Sequence, residues 1–89
     1  MSKDTAYEIH ARAGYVALRL HAGRTEIRIS PVDAARVAED IEDLIPRNSG
    51  ADIVIALDED HEIVVPVPQA QRLRIELRDA AAYARARHR

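Results

Sequence analysis

The chain has 89 residues, of which 47% are apolar but only 3% aromatic, so one small domain must build its core from aliphatic side chains. Only twenty-two Val, Ile and Leu residues are present, together with sixteen alanines. A domain of this size lies near the lower limit of independent stability, which favours oligomerisation. The sequence contains no cysteine, which excludes disulfides, thiolate metal sites and cysteine nucleophiles and fits a reducing cytoplasm.

The formal net charge of −2 conceals an uneven distribution. Residues 33–71 carry two basic and ten acidic side chains, whereas residues 72–89 carry six basic and two acidic ones. A uniformly basic surface, as in most nucleic-acid-binding proteins, is therefore excluded, although a local basic stripe is not.

Neither a membrane span nor a signal peptide is evident in the sequence. No apolar run is longer than that of Ile53 to Leu57, which is far shorter than the roughly 20 residues that cross a bilayer. We therefore expect a cytoplasmic protein with no membrane contact. Twelve arginines against one lysine are typical of a high-G+C genome, that of a bacterium or its phage.

Three strands are predicted in the first part of the chain. Apolar and polar residues alternate over residues 7–12, and this strand is expected to end at Ala13-Gly14. The same alternation over residues 16–20 and 26–30 predicts an antiparallel hairpin.

A helix is predicted directly after this hairpin. Ser30 can cap its free N–H groups, Pro31 suits its first turn, and Asp33 is favourable near the positive end of the helix dipole. Pro46 is expected to stop the helix. Its apolar stripe comprises Ala34, Val37, Ala38, Ile41, Leu44 and Ile45.

The second half of the chain predicts another hairpin and another helix. Asn48-Ser49-Gly50 forms the linker. Ile53 to Leu57 is apolar on both faces, which predicts a central strand covered twice, by its own chain or by a partner. Residues 58–60 form the turn and residues 61–65 the returning strand. A long helix then runs from about Gln69 to Arg85 or beyond.

Two sets of apolar residues lie on nearly opposite sides of this last helix. The core stripe comprises Ala70, Leu73, Leu77, Ala80 and Ala84. The second set, Ile75, Ala82 and Ala86, would be exposed in a monomer unless it packs under the N-terminal strand. Together with the second face of the strand Ile53 to Leu57, this second set predicts a homodimer whose interface includes Val54, Ala56, Ile75 and Ala82.

The two halves align at an offset of 36 residues. The matched pairs include Ile27 with Ile63, Ala34 with Ala70 and Ile41 with Leu77. We therefore predict one α+β domain of two ββα halves, with an antiparallel sheet of four to five strands and both helices on one face. The N-terminal strand takes residues 1–14, the first half residues 15–47 and the second half residues 51–89.

Groups suited to catalysis or metal binding are scattered along the chain. The four histidines have none of the spacings that support metal or nucleophilic chemistry, and the isolated glycines form no phosphate-binding loop. Asp58 to Glu62 is the one run suited to a hard cation, but it lacks the glycine and the distant glutamate of an EF-hand loop. A solvated hairpin turn is the favoured interpretation of this run. We therefore expect no enzymatic activity, metal or cofactor.

The last helix also carries a candidate nucleic-acid surface. The arginines Arg74, Arg78, Arg85 and Arg89 fall within roughly 60° of one another on the helical wheel and form a stripe about 20 Å long. Such a stripe can contact successive phosphates, although a solvated helix face is the competing interpretation. We expect a small protein-interaction module, and the alternative is a nucleic-acid-binding regulator or architectural protein that uses this stripe.

One segment of the first half carries a family resemblance. It reads Glu26-Ile27-Arg28-Ile29-Ser30, then Asp33-Ala34, Arg36-Val37, Asp40-Ile41 and Leu44-Ile45. It resembles the N-terminal oligomerisation domain of actinobacterial H-NS-like nucleoid proteins, a small ββα unit that dimerises and bridges DNA indirectly. This chain adds a second half and lacks the family's Arg-Gly-Arg hook. The resemblance therefore implies association rather than the family's mode of DNA binding.

Overall fold

A computed structural model describes residues 7–20, 24–47 and 52–87. Their elements in chain order are β1 (Tyr7–Arg12), β2 (Tyr15–Leu20), β3 (Thr25–Ile29), α1 (Pro31–Arg47), β4 (Ile53–Ala56), β5 (Glu62–Val65) and α2 (Val67–Arg87). Strands β1, β2 and β3 form one antiparallel sheet in that order, and β4 and β5 form a second. The α+β class is confirmed, whereas a single sheet of four to five strands is not. The turn of the first predicted hairpin at residues 21–23, the linker Asn48-Ser49-Gly50 and Arg89 lie outside the described residues.

Alternation along the strands decides which side chains enter the core. In the three-stranded sheet, Leu18 lies between Ile9 and Ile27 and points inward. The next row, in which Arg19 lies between Glu8 and Glu26, points outward. This is the period-2 pattern of a sheet with one buried face.

Helix α1 begins as its cap residue predicts. The Asp33 N–H donates to Ser30 Oγ at 3.0 Å, and the Ala34 N–H donates to the Ser30 carbonyl at 2.9 Å. The helix continues through Pro46 and ends at Arg47, one residue beyond the predicted stop. A proline in the last turn keeps a helical φ and removes only one backbone N–H donor. Pro46 can therefore be part of the helix and still be followed closely by its end.

The two helices pack against each other, with α2 across β1 and β2 and α1 against β4. The turn between β1 and β2 is attached to the far end of α2, because the Gly14 N–H donates to the Ala84 carbonyl at 3.2 Å. Gly14 has a φ of 88°, a conformation that glycine adopts without a Cβ clash.

The core draws on both sheets and both helices. All five residues of the predicted α2 stripe are buried, and the α1 stripe is buried over its first four residues. In the described part of the chain, twenty buried apolar residues form one cluster: Val16, Leu18, Leu20, Ile27, Ile29, Ala34, Val37, Ala38, Ile41, Ile53, Ile55, Leu57, Ile63, Val65, Ala70, Leu73, Leu77, Ala80, Ala81 and Ala84.

The prediction that Ile53 to Leu57 forms a central strand is wrong for the isolated chain. Among the described strands, β4 pairs only with β5, so it lies at the edge of a two-stranded sheet. Ile53 and Ile55 are buried, but Val54 and Ala56 on the other face are exposed. A strand that is apolar on both faces is therefore predicted to have a second face suited to an apolar contact. The pattern does not predict which element or partner makes that contact.

Candidate interaction surface

The outer face of the three-stranded sheet is covered by charged side chains. Glu26 accepts hydrogen bonds from Arg19 Nε at 3.0 Å and from Arg28 Nε at 2.9 Å. The Arg28 guanidinium also lies 5.2 Å from the centre of the Tyr15 ring, a cation–π distance. Because these groups satisfy one another in contact with water, this face offers little apolar surface to a partner.

The Glu26 carboxylate pairs with both arginines of this outer face. We therefore expect the stability of the protein to depend on pH through this group. Hydrogen bonds from Arg28 and then Arg19 hold the pKa of the Glu26 carboxyl below its ordinary value. A lowered pKa in the folded state adds stability above the pKa of the unfolded chain, and this stability is lost as pH falls through the folded pKa. We therefore expect Glu26→Gln to destabilise the protein near neutral pH and to converge with the native protein in acid.

The measurement is urea unfolding of both proteins across the acid range, with the Glu26 carboxyl followed by carbon NMR. A Glu26 carboxyl that titrates at or above its ordinary value, or a difference in stability that does not shrink in acid, contradicts this assignment.

The outer face of the β4–β5 sheet is apolar. Val54 and Val64 are direct cross-strand partners, and they are 51% and 47% exposed. Exposed Ala56 lies beside them, opposite Glu62. We call Val54, Ala56 and Val64 the valine patch. Among the described residues, it places two of the four predicted interface side chains together.

Val64 belongs to this surface although the sequence reasoning did not single it out. The signal was present, because Ile63-Val64-Val65 is apolar on both faces, as Ile53 to Leu57 is. Pairing these two runs in a hairpin brings both second faces to the same side.

The other two predicted interface residues lie on a separate surface. Ile75 is 50% exposed and Ala82 is also exposed, on the side of α2 that faces away from its buried residues. Strand β1 does not cover them but approaches a neighbouring side of the helix, where the Tyr7 hydroxyl donates to Glu76 Oε1 at 2.6 Å. Val54 points outward from a sheet and Ile75 outward from a helix, so the four predicted interface residues lie on two different elements of the fold.

The arginine stripe is partly engaged within the chain. Glu42 of α1 accepts hydrogen bonds from Arg74 at 3.4 Å and from Arg78 at 3.2 Å. Arg85 is exposed, and Arg89 lies outside the described residues. Glu42 was not predicted as a partner because it lies 32 residues before Arg74 in the chain. The nucleic-acid alternative stays a prediction, and Glu42 would compete with phosphate for two of its four arginines.

The acidic turn between β4 and β5 forms a local hydrogen-bonded structure. Asp58 Oδ1 accepts the Asp60 N–H at 2.8 Å and lies 2.9 Å from His61 Nδ1. The Asp60 N–H and then the His61 ring hold the pKa of the Asp58 carboxyl below its ordinary value. Within the described residues, no group of three or more His, Cys, Asp or Glu side chains is arranged to hold a metal ion.

Comparison with protein families, with characterised proteins and with solved structures gives no match to this chain. Among the described residues, neither helix combines the length and the apolar character needed to cross a membrane.

Proposed function

We propose that this protein is a small, non-enzymatic, cytoplasmic interaction module that forms a homodimer through the valine patch. The observation that carries the proposal is the contrast between the two outer sheet faces. Ion pairs cover one face, whereas Val54 and Val64 remain half exposed on the other. Apolar surface of this kind, bordered by polar residues, is typical of protein-protein contacts. The resemblance of residues 26–45 to an oligomerisation domain supports the same conclusion.

The valine patch suits a two-fold contact. A symmetric dimer packs the same patch from both subunits, so each valine occurs twice in the interface. Sheets packed face to face lie about 10 Å apart, which brings the two hairpins into direct side-chain contact. Burying the exposed half of a valine gains about 1 kcal/mol. The surface at Ile75 and Ala82 stays outside this contact.

We further propose that the two halves are equivalent ββα units. In each half an antiparallel hairpin precedes a helix, with β2, β3 and α1 in one and β4, β5 and α2 in the other. The residue pairs related by the 36-residue offset are buried in both halves: Ile27 and Ile63, Ala34 and Ala70, Ile41 and Leu77. The exposed second face of β4 then distinguishes the second half as the one that carries the interface.

The proposed dimer predicts a change of mass in a single-residue variant. Light scattering on a sizing column should give the native protein about twice its chain mass of 9.9 kDa at high micromolar concentration. Val64→Lys should give a mass close to that of one chain, because a two-fold contact would bury two ammonium groups next to each other.

Val32→Lys is the matched control, since Val32 is an exposed valine outside the valine patch. This variant should keep the mass of the native protein. A native protein that elutes as a clean monomer at high micromolar concentration, or a Val64→Lys variant with unchanged mass, overturns the proposed dimer.

A further inference from the structure

The outer edge of β4 has unpaired backbone groups. The Leu57 N–H donates to the His61 carbonyl at 2.9 Å, which fixes the alternation of bonded pairs along this hairpin. Ile53 and Ile55 therefore bond to β5, whereas the N–H and C=O groups of Val54 and Ala56 point away from it. No backbone hydrogen bond from the described residues closes this side of β4. Such an edge is a template for another strand.

A groove runs along this open edge, between β4 and α1. It consists of two adjoining depressions of about 460 and 300 Å³, which share Asp40 of α1 and Ala56 of β4. Their described lining residues come from α1, from β4 and from the turn after β4, and none comes from β5. The groove therefore lies beside the unpaired backbone groups, and its lining residues would contact the side chains of an incoming strand.

The charge of this groove indicates what it can hold. Its acidic lining residues are Asp33, Asp40, Asp43, Asp58 and Glu59, against Arg36 and Arg47. Arg36 pairs with Asp33 at 3.3 Å and His61 with Asp58 at 2.9 Å. Among the described residues Asp40, Asp43 and Glu59 form no ion pair. A segment with the opposite charge would supply their counter-ions.

We propose that the open edge of β4 accepts an extended basic segment of a partner protein as an additional strand. This inference rests on the proposed interaction role and names the class of partner. A second copy of the chain fits this edge poorly, because pairing β4 with its counterpart would place the two acidic grooves side by side. Backbone bonds to Val54 and Ala56 would supply affinity, and the acids of α1 would select for basic side chains.

The pleat of β4 also determines the side-chain pattern of the incoming strand. Residues opposite Val54 and Ala56 share their face and extend the valine patch outward. Residues opposite Ile53 and Ile55 point to the α1 side, where Asp40 lies. The preferred segment therefore alternates small or β-branched residues with arginine or lysine.

The test uses a fluorescein-labelled peptide of eight residues in which threonine and arginine alternate, with binding followed by fluorescence anisotropy. We expect saturable binding that weakens as salt rises. Replacing every arginine by glutamate should abolish binding. Two further peptides carry backbone N-methyl groups on all threonines or on all arginines, and only one of these two sets can point its N–H groups at β4.

One methylated peptide should lose at least about tenfold in affinity and the other should bind like the parent, because only one set donates to the strand edge. Loss with the threonine set indicates antiparallel addition and loss with the arginine set indicates parallel addition. Equal binding by the parent and both methylated peptides, or binding of the glutamate peptide, overturns the proposal.

Protein variants test the same edge from the other side. Ala56→Pro removes an N–H that the β4–β5 ladder does not use, so the fold should persist while peptide affinity falls at least about tenfold. Asp40→Asn with Asp43→Asn should also weaken binding. The matched control, Glu39→Gln with Asp79→Asn, makes the same change in net charge outside the groove and should bind like the native protein. Unchanged binding by the Asp40 and Asp43 variant overturns the proposed charge selection.

Failure of this inference is distinguishable from failure of the dimer. The Val64→Lys variant alters a side chain of β5 and leaves the edge of β4 intact. It should therefore bind the peptide whether or not it has become monomeric. Light scattering reports on the dimer, and anisotropy reports on the edge.

Discussion

Leu77→Ala should lower the free energy of unfolding by about 2–5 kcal/mol, the range for truncating a fully buried leucine. Leu77 is 0% exposed and lies in the middle of α2 within the core cluster. The loss combines the transfer of three carbon atoms from the core with the cavity that remains. A domain of this size has a total stability of about 5–15 kcal/mol, so the variant should unfold at much lower urea concentration.

Ile75→Ala is the matched control, because Ile75 lies two residues earlier in the same helix and is 50% exposed. It should cost less than about 1 kcal/mol when both variants are measured at low protein concentration, where association is absent. Equal losses for the two variants would contradict the orientation of α2, since they would mean that Ile75 is as well packed as Leu77.

The sequence was sufficient to predict which helix faces are buried. A helix can bury only one side against a sheet, so apolar residues at three- and four-residue intervals mark that side without knowledge of the fold. Leu73 and Leu77 are buried on α2, and Val37 and Ile41 are buried on α1. These assignments depend on local spacing alone.

The division of the strands between two sheets was beyond sequence reasoning. A period of two shows which face of a strand is buried, but it does not show which neighbour pairs with each edge. Ile53 to Leu57 illustrates the limit. Its apolar second face predicted a central strand, whereas the structure places β4 at an edge and leaves Val54 exposed.

Tertiary ion pairs were hidden for the same reason. The wheel positions of Arg74 and Arg78 predicted one continuous basic stripe, and both arginines do lie on the side of α2 nearest α1. What the spacing could not supply was Glu42, which reaches them only because the two helices pack side by side. The positive charge counted along one helix is therefore an upper limit on the charge that this helix offers to phosphate.

Small buried residues help a chain with few large side chains to close its core. Sixteen alanines looked like a deficit in the sequence, yet Ala34 and Ala38 are fully buried on α1, as are Ala70 and Ala84 on α2. A buried alanine on the contact side of a helix lets the neighbouring helix approach closely.

This packing predicts that enlarging one of these alanines is harmful. Ala38 is 0% exposed and lies one turn before Glu42, on the side of α1 that contacts α2. Ala38→Leu should destabilise the protein by about 1–3 kcal/mol, because the added carbons must displace a helix or adopt a strained rotamer.

Ala82→Leu on the exposed side of α2 makes the same chemical change and should stay within about 0.5 kcal/mol of the native protein. Alanine and leucine are both strong helix formers, so urea unfolding of the two variants separates the effect of packing from that of helix propensity. An Ala38→Leu variant as stable as the native protein would mean that the helices leave room between them.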